Sequence, residues 1–212
     1  MWAYDYNRCR HFKMDPQTYW NNNTLDEDIE QFKKWVGGSE AESNTYLYTY
    51  MGKHPEYEKI IDMGCGLCSV ATGLQENSIG IDYTGIDSCS KFVSDGKKKG
   101  FNVLLGDLRQ TPLKSNEYDI VFGRHVVEHQ PAFELILNEM TRLAKSEVVI
   151  IFFIKPIDED RSVINYDEAT NLYHNAYSKQ LIINWIANHR DIKSFTFVNI
   201  NDKESALHIH RK

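Results

Sequence analysis

The run Asp62-Met63-Gly64-Cys65-Gly66-Leu67-Cys68 stands between a β-rich stretch, KIID, and a helical one that opens at Ser69. Glycines at a strand-to-helix turn let the backbone approach a ligand closely, and the open amides of a helix start favour an anionic group. Twenty-three residues beyond Gly64 lies Asp87. It closes the next apolar run, where one carboxylate can accept hydrogen bonds from both hydroxyls of a ribose. These positions describe a ligand that contains a nucleoside. Gly106-Asp107 closes a third run. Tyr118-Asp119-Ile120-Val121-Phe122 forms a fourth, which opens into Gly123-Arg124-His125-Val126-Val127-Glu128-His129. A histidine near neutral pKa can take a proton from a hydroxyl or serve an amine that needs a free lone pair. His125 is the first candidate for that role and His129 the second.

Other chemistries use the same letters. A nicotinamide-binding fold also pairs a glycine loop with an acidic residue at this separation, but Gly64 to Ser69 lacks the final Gly or Ala of that fingerprint. Asp62 and Asp107 have no required role in it. His125-x-x-Glu128-His129 spells an inverted zinc-protease motif, whose histidines must lie one turn apart on a helix. Here the first histidine follows directly on a strand and the helix begins near Pro131, so no metal is expected. Cys65-x-x-Cys68 has no second pair to complete a zinc site and reads as two small loop residues. His208 and His210 share one face of the last strand and read as a solvated edge.

The elements that must position these residues follow from periodicity. From residue 58, short β-rich runs (KIIDMG, TGID, NVLLGD, DIVFG, VVIIFFI) alternate with helical segments, which predicts a parallel sheet covered on both faces. FTFVNI and ALHIH follow, joined by the short polar link Asn201-Asp202-Lys203, which suits an antiparallel hairpin at the sheet edge. The expected fold is a doubly wound, Rossmann-like α/β domain over 53–212, with a seven-stranded, mostly parallel sheet whose last strand is antiparallel. Residues 1–52 read as a helical extension and lid. Thr24-Leu25-Asp26-Glu27 is a capping box ahead of Ile29, Phe32 and Val36, Gly37-Gly38 ends that helix, and Ser39-Glu40-Ala41-Glu42 starts a second that stops near Gly52. Pro131 opens a helix with Phe133, Ile136, Leu137, Met140, Leu143 and Ala144 on one stripe, and Ser178 caps another. Ile157 to Tyr177 shows no periodicity and reads as a binding loop.

This order of motifs resembles the class I S-adenosylmethionine-dependent methyltransferases. Within them it is similar to the broad group with a His-x-x-Glu-His run after the fourth strand, which includes the ubiquinone-biosynthesis O-methyltransferases. The resemblance covers roughly 58–156. It implies S-adenosyl-L-methionine as cofactor. Asp62 would fix the glycine loop and approach the methionine amino group, Gly64, Cys65 and Gly66 would lie along the methionine portion, and Asp87 with Ser88 would hold the ribose. Asp107 and Leu108 would contact adenine, and Arg124 and His125 would line the reacting end. Cys68 stands where the family commonly has a third glycine and is small enough to keep the helix packed closely.

The acceptor should enter opposite the methionine end, between the N-terminal aromatics, Tyr19 and Trp20 among them, and the loop that carries Tyr173, His174 and Tyr177. Such surfaces suit a sugar, a flat metabolite or a nucleobase. The chain has 212 residues, 42% of them hydrophobic, and a formal net charge of −6, which disfavours bulk phosphate-backbone binding. A small metabolite or saccharide, methylated on oxygen or nitrogen, is therefore the expected acceptor, ahead of RNA or a nucleobase as an alternative. The alternative is a methyltransferase-like fold that binds cofactor or a partner protein without transferring anything. The longest apolar run, Val148 to Ile154, is too short to cross a bilayer, and with no export signal and no disulfide framework a cytoplasmic location is expected.

Overall fold

The computed structural model describes residue 34 and residues 37–168 and 172–212. The capping box at Thr24 to Glu27, Tyr19 and Trp20 lie outside the described residues, as does nearly all of the first expected helix. The main sheet contains β1 (Lys59–Met63), β2 (Asp82–Asp87), β3 (Val103–Leu105), β4 (Tyr118–Arg124), β5 (Ala144–Phe152), β8 (Ile192–Asn199) and β9 (Ser205–Arg211), in the order β3-β2-β1-β4-β5-β9-β8. The first five are parallel, with Ile61 of β1 opposite both Thr84 and Val121. β9 runs antiparallel to both of its neighbours. The seven-stranded expectation therefore holds, last strand included.

The core lies in two layers because successive residues of a strand face opposite ways. On one side Ile61, Val121, Val148 and Ile150 pack under helix α4 (Phe133–Leu143), whose Ile136, Leu137, Met140 and Leu143 are all sealed, and under α5 (Lys179–Ala187). On the other, Ile60, Ile120, Phe122, Val149 and Ile151 meet α1 (Glu42–Met51) through Leu47 and α2 (Ser69–Glu76) through Val70 and Leu74. A third cluster under the glycine loop joins Cys65, Cys68 and Ala71 to Val103 and to Val93 of α3 (Ser90–Lys98). Strands sealed on both faces are the reason the sequence shows continuous apolar runs rather than alternation.

Several local expectations are corrected. Ala41, not Ser39, precedes α1 and makes no side-chain cap. α4 starts at Phe133, because Gln130 and Ala132 are held extended and the Gln130 carbonyl is taken by Tyr177 Oη and Asn175 Nδ2, and it ends at Leu143, since Ala144 is extended and already opens β5. Ser178 does cap α5, accepting from the Leu181 amide at 3.3 Å. Ile157 to Tyr177 is not devoid of regular structure. It holds a two-stranded ribbon, β6 (Tyr166–Asp167) with β7 (Leu172–Tyr173), and bridges from Ile157 to Ser178 and from Val163 to Ala176. Pairings this short leave no period to read. His208 is no solvated edge residue either, since β8 is the outer strand. β9 lies inside, and His208 is buried with Nδ1 2.6 Å from Glu147 Oε1.

Candidate functional site

The strand order turns back between β1 and β4, so the chain leaves those two strands in opposite lateral directions and opens a crevice at their carboxyl ends. The glycine loop fills one side of it. Gly64 and Gly66 have φ of 80° and 49°, and a Cβ on Gly64 would meet Val126 Cγ2 at 2.5 Å. Only glycine permits that backbone against the loop after β4. The loop is tied to β2, since the Gly64 and Cys65 amides donate to the Ile86 carbonyl at 2.8 and 3.2 Å. Cys68 takes the left-handed conformation just ahead of α2, with φ of 60°. Both cysteines are free and buried, and the Cys65 thiol is pushed up by its hydrogen bond with Cys68 and by burial.

Two carboxylates stand behind this loop. Asp87 Oδ2 accepts from the Gly66 amide at 2.9 Å and Oδ1 from the Cys89 amide at 2.8 Å. Burial raises its pKa, and those amides and that of Ser88 draw it back. Asp62 Oδ2 accepts from Tyr83 Oη at 2.9 Å, and burial, with Asp87 adding to it, lifts Asp62 to about 7. Asp107 is clasped by Arg109, whose Nε and Nη2 lie 2.9 and 2.7 Å from its two oxygens. Leu108, buried beside it, reaches toward Gly64.

The loop after β4 forms the other side. Arg124 Nε donates to Ser43 Oγ of α1 at 2.8 Å. His125 has a φ of 57°, unusual for a residue with a side chain, and its Nε2 lies 2.7 Å from Glu204 Oε1. Burial holds its imidazole below the ordinary value. A short 3₁₀ turn, Val127–His129, follows. Within it Glu128 Oε1 accepts from the Phe153 amide at 2.6 Å, Oε2 is sealed without a partner, and burial lifts the carboxyl to about 8. His129 Nδ1 donates to the Tyr173 carbonyl at 2.6 Å, and burial lowers the ring to about 4.

Phe153 is the hub of an aromatic group, with ring centroids 5.2 Å from His125, 5.3 Å from His129 and 6.1 Å from His174. The structure thus brings His125, His129, His174 and the Tyr173 backbone together. Tyr177 sits apart, buried against Phe133 with its hydroxyl donating to Gln130 O. Glu204 and Phe153 were not singled out from the sequence. Phe153 lay unmarked in an apolar run, and Glu204 hid in a polar turn. Among the described residues no group of three His, Cys, Asp or Glu is arranged to hold a metal ion.

Residues 61–152 match the family model of a methyltransferase domain. A sterol 24-C-methyltransferase of Gibberella zeae is 28% identical over 116 residues, which cover 50% of this chain and 29% of that protein. The chain therefore matches less than a third of that relative's length. Among solved structures, magnesium protoporphyrin IX methyltransferase from Synechocystis, with bound S-adenosylmethionine, is similar at a TM-score of 0.62 and 15% identity, covering 94% of this chain and 99% of that one. The 1,6-didemethyltoxoflavin-N1-methyltransferase of Burkholderia thailandensis, with bound 1,6-didemethyltoxoflavin and S-adenosylhomocysteine, is similar at a TM-score of 0.67 and 12% identity, covering 94% of this chain and 91% of that one. At such identities the likeness to these structures is one of fold.

Proposed function

We propose that this chain is a class I S-adenosylmethionine-dependent methyltransferase that binds S-adenosylmethionine between the ends of β1 and β4 and methylates an oxygen or nitrogen of a small metabolite or saccharide, a reading supported by the methyltransferase-domain match over 61–152 and by the fold. The observation that carries this reading is the glycine loop fastened by the Gly66 amide to Asp87 at the point where the strand order reverses. The residues fit the cofactor. Asp87 accepts from the Gly66, Ser88 and Cys89 amides, and a carboxylate's four lone-pair sites would still admit a ribose hydroxyl. Asp62 has one oxygen engaged by Tyr83 and one open to an ammonium group. The backbone of Gly64, Cys65 and Gly66 would take the methionine portion, and Leu108 an adenine face. Asp107 already gives both oxygens to Arg109, so an adenine amino group would share that carboxylate with a guanidinium.

The cofactor, when bound, supplies a methyl group on a sulfonium. The chain's own work is to align an acceptor with it, to exclude water and to take a proton. His125 is the proposed general base. Arg124 anchors the base of that loop to α1 through Ser43, and Phe153, His129 and His174 form the wall on which a flat or sugar-like acceptor would rest.

A panel of alcohols, phenols, sugars and amines, followed by release of S-adenosylhomocysteine, tests the activity. Turnover with one class supports it. Tight cofactor binding with no release from any acceptor would favour a binding protein instead. With an acceptor found, His125→Ala should lower turnover roughly 10²-fold while cofactor affinity holds. An unchanged turnover number with a raised acceptor KM would reduce His125 to shaping the pocket.

A further inference from the structure

We propose that Glu204, in the turn that precedes β9, is the positioning residue for His125: it fixes the imidazole as the Nε2–H tautomer, so that Nδ1 takes the proton of a hydroxyl acceptor. The proposal rests on His125 as general base. A carboxylate can only accept, so the 2.7 Å contact from His125 Nε2 to Glu204 Oε1 makes Nε2 the donor and leaves the lone pair of the neutral ring on Nδ1. No described residue bonds Nδ1, and that atom is not among the sealed polar atoms.

The turn is built to hold this carboxylate. Asn201 Oδ1 accepts from the Lys203 and Glu204 amides at 2.9 and 2.7 Å, while Asn201 Nδ2 donates to Glu204 Oε2 at 3.0 Å and to Glu42 Oε2 of α1 at 2.9 Å. On the other side, the left-handed backbone of His125 is locked by its amide, which donates to the Ile151 carbonyl at 2.9 Å. Strained backbone of this kind persists where the surroundings over-determine it, and it clusters at active sites. Arg124 Nη2 is 3.9 Å from the same Glu204 oxygen, too long for a hydrogen bond, so Glu204 is first a partner of His125 and only then of Arg124.

Burial alone would raise Glu204, yet the bonds from His125, Asn201 and Ser43 outweigh it and hold it at about 2. The ring therefore faces an ionised carboxylate while burial favours its neutral form. In the reaction the acceptor O–H proton passes to Nδ1 as the oxygen bonds the methyl carbon. The carbon–sulfur bond breaks with its electron pair going to sulfur, and the imidazolium, stabilised by Glu204, later returns its proton to water. An alcohol or phenol always has a proton to lose, whereas an amine needs the base only when it arrives as an ammonium ion, so the dyad favours a hydroxyl acceptor.

Long-range proton–nitrogen spectra of the full chain with S-adenosylhomocysteine, with His125 identified by its loss in His125→Gln, test this directly. The wild-type ring should be the Nε2–H tautomer. Glu204→Gln, close in shape, should mix the tautomers and lower the imidazolium pKa by about one unit or more, since a neighbouring opposite charge shifts a group by that much. A wild-type ring protonated on Nδ1 overturns the proposal whether or not the variant folds, as do identical shifts and titration in both proteins. With a hydroxyl acceptor in hand, Glu204→Gln should also lower turnover at least tenfold and move the ascending limb of the pH profile down by the same interval. A tautomer change with an unmoved limb would overturn the proton transfer, and with it the reading of His125 as base, while the Glu204–His125 bond stood.

Discussion

Asp62 is nearly sealed from solvent, and its carboxyl titrates near neutrality because burial outweighs the help of Tyr83 and Arg124. A bound ammonium group favours the ionised form, so cofactor should bind more weakly as pH falls through about 7 and Asp62 gains a proton. The affinity at pH 8 should exceed that at pH 6 about tenfold, by the ionised fraction at each. Asp62→Asn should flatten the dependence, and a flat wild-type profile would remove Asp62 from the amino-group site. Asp87 carries two tasks that separate by substitution. Asp87→Ala takes away the proposed ribose acceptor and also leaves the buried Gly66 and Cys89 amides without theirs, so it should weaken binding by about 1.5–3 kcal/mol and loosen the loop as well. Asp87→Asn keeps one acceptor oxygen, and its calorimetric loss should be the smaller. Equal affinity in the wild type and both variants would contradict the ribose assignment. The spacing of Asp62, Gly64, Gly66 and Asp87 was readable from the sequence because strand ends fix where such residues fall. The αL turn at His125 was not, since nothing in the local sequence announces it.

At the scale of elements, α1 is fixed to the sheet by a buried polar cluster distant from the glycine loop. Glu147 Oε2 accepts from Tyr50 and Tyr57 Oη at 2.7 and 2.9 Å, its Oε1 meets His208, and His208 Nε2 lies 2.7 Å from Tyr46 Oη. Burial would raise Glu147, but the bonds from His208, Tyr50 and Tyr57 win and hold it below its ordinary 4.5. Its contribution to stability is therefore complete above that pH and is lost as pH falls through the lower folded value. Glu147→Ala should cost roughly 3 kcal/mol in urea unfolding at pH 7, by the usual penalty for stranding buried partners. A cost within 0.5 kcal/mol, as is usual for a surface substitution, would contradict the network. Because α1 also presents Ser43 to Arg124 and Glu42 to Asn201, the same variant should weaken cofactor binding only through that helix. None of this was legible beforehand. Tyr46 and Tyr50 lay unmarked in the helix expected to stop near Gly52, His208 and His210 read as a solvated edge, and the glutamate that joins them sits 61 residues from His208.

Over the whole molecule, the apolar runs dictated the doubly wound sheet because strands covered on both faces leave little room for other sequences. The order of acidic strand ends then marked the crevice. What periodicity could not supply was everything made by short or distant pairings: the ribbon of β6 and β7, the Asn201 turn, and the convergence of α1, the β4 exit and the β8–β9 turn on Arg124 and His125. The central claim is that this convergence surrounds a site for S-adenosylmethionine, and calorimetry of the full chain tests it most directly. Saturable binding of one S-adenosylmethionine or S-adenosylhomocysteine per chain, with no comparable heat from NAD, is the predicted result. Binding of NAD at equal or greater strength, or no binding of either adenosyl compound, would contradict it.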